Sequence, residues 1–303
     1  MWFLSGTRDE TKIFDMENEQ VTDINNPFFS RGCCWVPDGT DADKSFRPSC
    51  AKLDSYNWLK NIELAPDEGR IEIVEVRFKN SKKDFFRASS GMNLKEGDIV
   101  AVESSPGHDI GIVSLTGELV RPQMKKKRSR TPQDEMRKVY RRARYSDVEK
   151  WVLAVKHEEE AIFKTRKAAA DLHLDMKIND VEYQGDHTKA IFYYIADERV
   201  DFRELIKVLA DAFRIRIEMR QIGARQEAGR IGGIGSCGRE LCCASWMTNF
   251  VSVTTNAARY QEVSLNPQKL AGQCGKLKCC LNYELSTYLD AQKDFPERNT
   301  VLE

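Results

Sequence analysis

Six of the nine cysteines in this 303-residue chain fall into two copies of one pattern. Cys237-Gly238-Arg239-Glu240-Leu241-Cys242-Cys243 and Cys274-Gly275-Lys276-Leu277-Lys278-Cys279-Cys280 share the form C-G-x3-C-C. Thiolate sulfur is the natural ligand for soft metals and iron–sulfur clusters. A single vicinal pair could be two small buried hydrophobes. Two copies with the same glycine and the same spacing instead predict a metal centre, with Cys237, Cys242, Cys243, Cys274, Cys279 and Cys280 as the ligand pool. The spacing is not the C-x2-C knuckle of zinc fingers. It shares the first gap of plant-type ferredoxins but lacks the rest of that motif. An iron–sulfur cluster is therefore the first expectation and zinc the second. Neighbouring cysteines point apart on any regular backbone. In the second copy Leu277, Leu281, Leu285, Tyr288 and Leu289 predict a helical stripe starting near Gly275. On that helix Cys279 faces away from the stripe and Cys280 borders it, so Cys274 and Cys279 are expected as ligands and Cys280 as a packing residue.

Gly233, Gly235 and Gly238 also match the G-x-G-x-x-G dinucleotide fingerprint, which requires a turn directly from strand to helix. The preceding strand ends near Ile222, too early for that context, so the glycines are read as backbone wrapping a thiolate centre. Cys33, Cys34 and Cys50 lie in a polar N-terminal extension, residues 1–66, and are secondary candidates to complete the site. Within it, Tyr56, Leu59 and Ile62 predict a short docked helix.

The elements that would position the cysteine loops follow from periodicity. Residues 67–120 read as a β-rich module: strands at 71–78, 99–102 and 110–115 suggest a small curled sheet or barrel. A phase change at Ile73/Val74 marks a bulge or a doubly buried strand. His108 beside Asp109 reads as turn chemistry or a reactive pair. Residues 121–144 carry eleven Lys and Arg against Asp134 and Glu135, and Pro122 and Pro132 suggest an exposed basic linker running into a helix. Lys125, Lys126, Lys127, Arg128, Arg130, Arg141 and Arg142 are its candidates for phosphate neutralisation, which makes RNA a candidate partner.

Residues 145–222 predict an αββαβ core: a long amphipathic helix, two strands, a helix opened by Asp201 with Glu204 in capping-box position, and an alternating strand with Arg214, Arg216 and Arg220 on its wet face. With one strand supplied from upstream, this order fits a ferredoxin-like sandwich. Residues 223–303 form a glycine- and cysteine-rich, largely helical region. The fold class is α+β.

Lys plus Arg equals Asp plus Glu at 47 each, so any electrostatic function must come from local patches. No run approaches the roughly 18–20 apolar residues of a spanning helix, so membrane insertion is not expected. The start is too short in apolar residues for a signal peptide, which places the chain in the cytoplasm with reduced thiols. No acid/base pair accompanies the cysteines, so no catalytic residue is assigned; a vicinal-thiol redox enzyme is the remaining catalytic alternative.

Five blocks stand out: Tyr194-Ile195-Ala196-Asp197-Glu198-Arg199-Val200-Asp201-Phe202-Arg203-Glu204-Leu205, Arg216-Ile217-Glu218-Met219-Arg220-Gln221-Ile222-Gly223, the run from Gly232 through Cys243, Ser264-Leu265-Asn266-Pro267 and Cys274 through Leu281. Together they closely resemble the bacterial YaaT/RicT family, whose C-terminal region is the PSP-type C-terminal domain. The likeness spans about residues 70–295 and is most specific from 190 to 285. It implies a cytoplasmic, non-enzymatic regulatory subunit that joins small helical partners, RicA and RicF, in a complex carrying 4Fe–4S clusters. That complex acts on RNase Y in mRNA maturation and influences sporulation, competence and biofilm formation. The extension with its three extra cysteines departs from the simplest members, and suggests that those thiols replace ligands which partners supply elsewhere. The competing reading is a zinc-stabilised RNA-binding protein using residues 121–144.

Overall fold

The computed structural model describes residues 26–33, 35–38, 55–59, 72–89, 91–127 and 135–296. Five antiparallel strands form the first layer: β1 (Glu72–Arg77), β2 (Lys83–Ala88), β3 (Ile99–Glu103), β4 (His108–Leu115) and β5 (Val139–Arg142), in the order β2-β1-β4-β3-β5. The edge strands meet: Arg87 bridges to Lys138, and the Arg87 N–H donates to the Arg137 carbonyl at 2.9 Å. The sheet is thus curled into a small barrel, filled by Val74, Val76, Phe78, Phe86, Val100, Val102, Val113 and Val139. β1 is buried on both faces, and its register against β4 shifts between Glu75 and Val76, so bulge and double burial occur together.

Two regular elements stand where the exposed basic linker was expected, one toward each end of it. Val120–Lys126 is a helix (α1), seated through Val120 against Ile73, Phe85 and Leu115, and Val139–Arg142 is the barrel's β5. The lysines and arginines hid both, because apolar periodicity is faint where only one residue per turn faces the core. Tyr56, expected to dock, is exposed; Asn57 is the buried residue there, donating to Glu96 at 2.8 Å. Residues 60–64 of that stretch lie outside the described residues.

Helix α2 (Tyr145–Asp171) is the shared wall of the molecule. Near its start Val148, Trp151 and Val155 pack on the barrel's outer face at Ile99, Ala101, Ile110 and Ile112, together with Phe28 and Cys33. Ala154, Ala161 and Ala169 pack instead on a second sheet, against Val181, Tyr183, Ala190 and Phe192. Alanines on that face let the helix approach the sheet closely.

The second sheet has three strands, β6 (Lys177–Tyr183), β7 (Lys189–Ile195) and β8 (Arg216–Gln221), in that order. β7 pairs antiparallel with β6 and parallel with β8, through the crossover helix α3 (Arg203–Phe213). The α+β expectation holds, with a difference in detail. The upstream strand that would separate β7 from β8 in a ferredoxin-like sheet is in the barrel, so β7 and β8 pair directly. Helix α3 also starts later than expected: Phe202 is its N-cap, and Asp201 instead accepts from the Arg203 N–H at 3.2 Å while Glu204 pairs with Lys207.

Buried charges tie these layers together. Arg31 meets Glu158 of α2 at 2.5 Å, and Lys79 bridges Glu158 (2.8 Å) and Asp180 of β6 (2.6 Å). Arg230 closes the chain on Asp180 at 2.7 Å. Each carboxylate has two cations, which is what makes such deep burial tolerable. No helix among the described residues is long and apolar enough to cross a membrane.

Candidate metal centre

Beyond β8 the chain runs through short helices: α4 (Ala224–Ile231), α5 (Cys242–Ser245), α6 (Thr255–Tyr260), α7 (Pro267–Leu270), α8 (Cys279–Tyr283) and α9 (Leu285–Ala291). The two cysteine loops lie between them and are copies in three dimensions as well as in sequence, with every feature repeated 37 positions on (Cys237 to Cys274). In the first, Gly235 N–H donates to the Arg239 carbonyl at 2.8 Å and Leu241 N–H to that of Gly233 at 3.0 Å; in the second, Gly272 donates to Lys276 at 2.8 Å and Lys278 to Leu270 at 2.9 Å. Isolated β-bridges match too, Ile234 with Glu240 and Ala271 with Leu277. The glycine after the first cysteine of each copy sits at positive φ, 79° for Gly238 and 70° for Gly275, a conformation costly for side chains with a Cβ. That is the physical reason for C-G in both copies.

Each vicinal pair opens a helix. Leu241 and Lys278 are the N-caps of α5 and α8 and share φ −55° and ψ 127°. The helix in the second copy therefore begins at Cys279, not near Gly275, and the 274–278 segment is a tight turn. This removes the expected division between Cys279 and Cys280: both are half-buried, and both line the same cavity as Cys237, Cys242, Cys243 and Cys274. That cavity, of about 450 Å³, gathers all six repeat thiols. The copies face each other, for Trp246 and Tyr283, again 37 positions apart, stack edge to face at 4.8 Å.

Burial raises the thiols of Cys243, Cys279 and Cys280 above their ordinary range, and the neighbouring Cys242 pushes each further up. Such a set holds its protons until a cation displaces them. The six repeat thiols are soft sulfur donors, which suit a soft metal or an iron–sulfur group, and Glu240 and Glu284 share the cavity wall. Among the described residues no three Cys, His, Asp or Glu side chains stand close enough to share one ion. Tetrahedral zinc needs four ligands at roughly 2.0–2.3 Å from a single point. The six thiols line one cavity without converging on a single point.

The other candidates fall elsewhere. Cys33 is fully buried in the barrel–α2 interface, its thiol pushed up to about 12 by burial, so it is a core residue rather than a ligand of the loops. Cys34, Cys50, Arg128 and Arg130 lie outside the described residues. Of the basic candidates, Lys125 and Lys126 are exposed, whereas Lys127 neutralises buried Glu75 at 2.8 Å, Arg141 pairs with Asp147, and Arg142 reaches Asp98 at 3.0 Å. His108 and Asp109 part company: Asp109 accepts from the Gly185 N–H at 2.9 Å, and His108 lies 3.9 Å from both Asp147 and Asp186. Sequence reasoning missed Arg225, which lines the cavity from α4. It also missed the Trp246–Tyr283 contact, whose signal was an aromatic three positions after each vicinal pair.

Residues 137–222 match the model of the PSP1 C-terminal conserved region, and residues 252–295 that of the PSP1-like protein, third domain. Over 234 residues the chain is 39% identical to the stage 0 sporulation protein YaaT of Bacillus subtilis, covering 74% of this chain and 79% of that one. The chain belongs to the YaaT family. Two yeast proteins share parts of it. An uncharacterised protein of Schizosaccharomyces pombe is 25% identical over 48% of this chain and 22% of its own length. Protein PSP1 of Saccharomyces cerevisiae is 48% identical over 14% of this chain and 5% of its own. No solved structure matches. In YaaT-family terms, the β5-to-β8 unit is the PSP1 conserved region, and the second cysteine loop belongs to the third domain.

Proposed function

We propose that this protein is a cytoplasmic, non-enzymatic regulatory subunit that holds an iron–sulfur cluster, most simply of the 4Fe–4S type, between its two cysteine loops. On this reading it modulates mRNA processing by RNase Y and serves sporulation, in company with small helical proteins similar to RicA and RicF or with their replacements. The observation that carries the reading is the convergence of six thiols from two superposable loops on one cavity. Kinship with a stage 0 sporulation protein supports the regulatory role.

Bound there, a cluster would supply a redox- and oxygen-sensitive anchor for the two loops. The chain's own part is to present thiols. The positive-φ glycines turn each first cysteine into the cavity, and the helix starts bring the vicinal pairs alongside. Against zinc-stabilised RNA binding stands the engagement of Lys127, Arg141 and Arg142 in ion pairs. Anaerobic purification followed by an absorbance spectrum and metal analysis tests the proposal. A brown, iron- and sulfide-bearing protein is expected; a colourless, zinc-loaded protein with intact regulatory activity overturns it.

A further inference from the structure

We propose that Arg225 is the positioning residue of the cysteine centre, clamping the helix that leads into the first loop to the backbone of the second and holding a positive charge against the thiols. The proposal rests on the reading of the two loops as one metal-binding centre.

Helix α4 is anchored at its far end. Arg230 pairs with Asp180 at 2.7 Å and lies 3.7 Å over the Tyr193 ring, and Glu227 pairs with Lys177 at 3.0 Å. Its middle is pressed against the first loop: a Cβ on Gly229 would stand 2.9 Å from the Cys243 carbonyl oxygen. From this fixed helix Arg225 reaches across, and its Nη2 donates to the Leu277 carbonyl of the second loop at 3.1 Å. Leu277 sits between Cys274 and Cys279, in the bridge to Ala271 that shapes the turn. The guanidinium also stacks 5.3 Å from the Phe250 ring. Two other ties join the loops: Gln273 donates to the Ile234 carbonyl, and Trp246 meets Tyr283. The side chains of Gln273, Trp246 and Tyr283 are exposed, whereas Arg225 is half-buried; Arg225 and Gln273 both line the cavity.

The charge argument is independent of the clamp. Apart from the thiols, the ionisable residues lining the cavity are Arg225, Lys278, Glu240 and Glu284, two of each sign. They balance one another, so thiolates bring uncompensated negative charge. Arg225 lines the same cavity as Cys243 of the first loop and Cys279 of the second, so its charge faces both. Arginine suits the place because its fork can bond a carbonyl and stack on a ring while staying charged at any working pH. Lysine would keep the charge and lose the second contact.

The experiment compares full-length wild type, Arg225→Lys and Arg225→Met. In metal-free protein, amide exchange across residues 275–281 should be about tenfold faster in Arg225→Met, as expected for loss of one charge-assisted hydrogen bond. Protection of β7 serves as the internal control for folding. In cluster-loaded protein, the reduction potential should shift negative in Arg225→Met and return toward wild type in Arg225→Lys, since charge and not shape sets it. Unchanged exchange in Arg225→Met overturns the clamp, and Arg225→Lys carries that test if the methionine variant does not fold. Equal potentials in all three overturn the charge role. If wild type takes up no iron–sulfur on anaerobic reconstitution, the cluster reading fails, while the exchange comparison still decides the clamp.

Discussion

The barrel and αββαβ unit are held by what they bury; the cysteine region buries little. The first two share large apolar clusters around Val76, Phe86, Trp151 and Phe192, knitted by doubly paired carboxylates. The cysteine region has one buried cluster, Ala257, Ala258, Leu270 and Leu281, with partly buried neighbours. Its helices α5 to α9 run from four to seven residues. Helices that short are not stable alone, and small cores need a staple. Ile231, Ile234, Val251 and Tyr283 stay exposed around it. On the proposed reading, the thiols have a structural duty as well: the group they hold would supply the cohesion that apolar burial supplies elsewhere.

The sharpest way to break this comparison is to remove the proposed cluster. Chelation, or Cys274→Ser with Cys279→Ser, should lower exchange protection across residues 232–296 by a larger factor than Arg225→Met does, without removing it, and leave α2 and β7 protected. A single cooperative transition for the whole chain would refute the division. Next come core lesions. Phe192→Ala should cost about 3–5 kcal/mol in urea unfolding. Glu158→Ala, which strands Arg31 and Lys79, should cost a similar 3–5 kcal/mol. Neither should alter the ligand content of folded protein.

Acid should separate the two regions in order. Burial pushes Glu182 up, but Lys82 at 2.9 Å and the Tyr193 hydroxyl at 2.7 Å outweigh it and hold the carboxyl at about 2. Its contribution is complete above the ordinary glutamate range and is lost as pH falls through 2, so the core should weaken only below about pH 5. The thiols of Cys243, Cys279 and Cys280 are raised by burial, so protons compete with metal at much higher pH. Metal release should therefore precede core unfolding in an acid titration followed by absorbance and circular dichroism. Smaller effects follow. Tyr283→Ala should cost about 1 kcal/mol, the worth of one edge-to-face pair, seen mainly in metal-free protein. Arg137→Ala, which removes a half-exposed pair with Asp84, should change core stability by at most about 1 kcal/mol.

Legibility differed by element for physical reasons. β1, β3, β4, α2, β6, β7, α3 and β8 announce themselves because their apolar period is regular. β2 and β5 do not: Lys-Asp-Phe-Phe-Arg-Ala buries adjacent phenylalanines on opposite faces of a closing sheet, and Val-Tyr-Arg-Arg buries little beyond Val139. Cys33 looked like the other cysteines because residue type cannot distinguish a core thiol from a ligand.

For the loops that opened the inquiry, the sequence by itself determined the donor chemistry, the duplication and the glycine that each turn requires. Those are local properties, set by residue type and by φ within a few positions. Only the tertiary structure decided that the two loops face one cavity, that the second helix starts at Cys279, and that Arg225 spans them. It also decided that Lys127, Arg141 and Arg142 are spoken for by carboxylates. Apart from the local helix start and the Arg141–Asp147 pair, these facts rest on partners distant in the chain, 52 residues for Arg225 with Leu277, as does the Arg31–Glu158 pair at 127. Contacts at such separation follow from how layers pack, which no local spacing encodes.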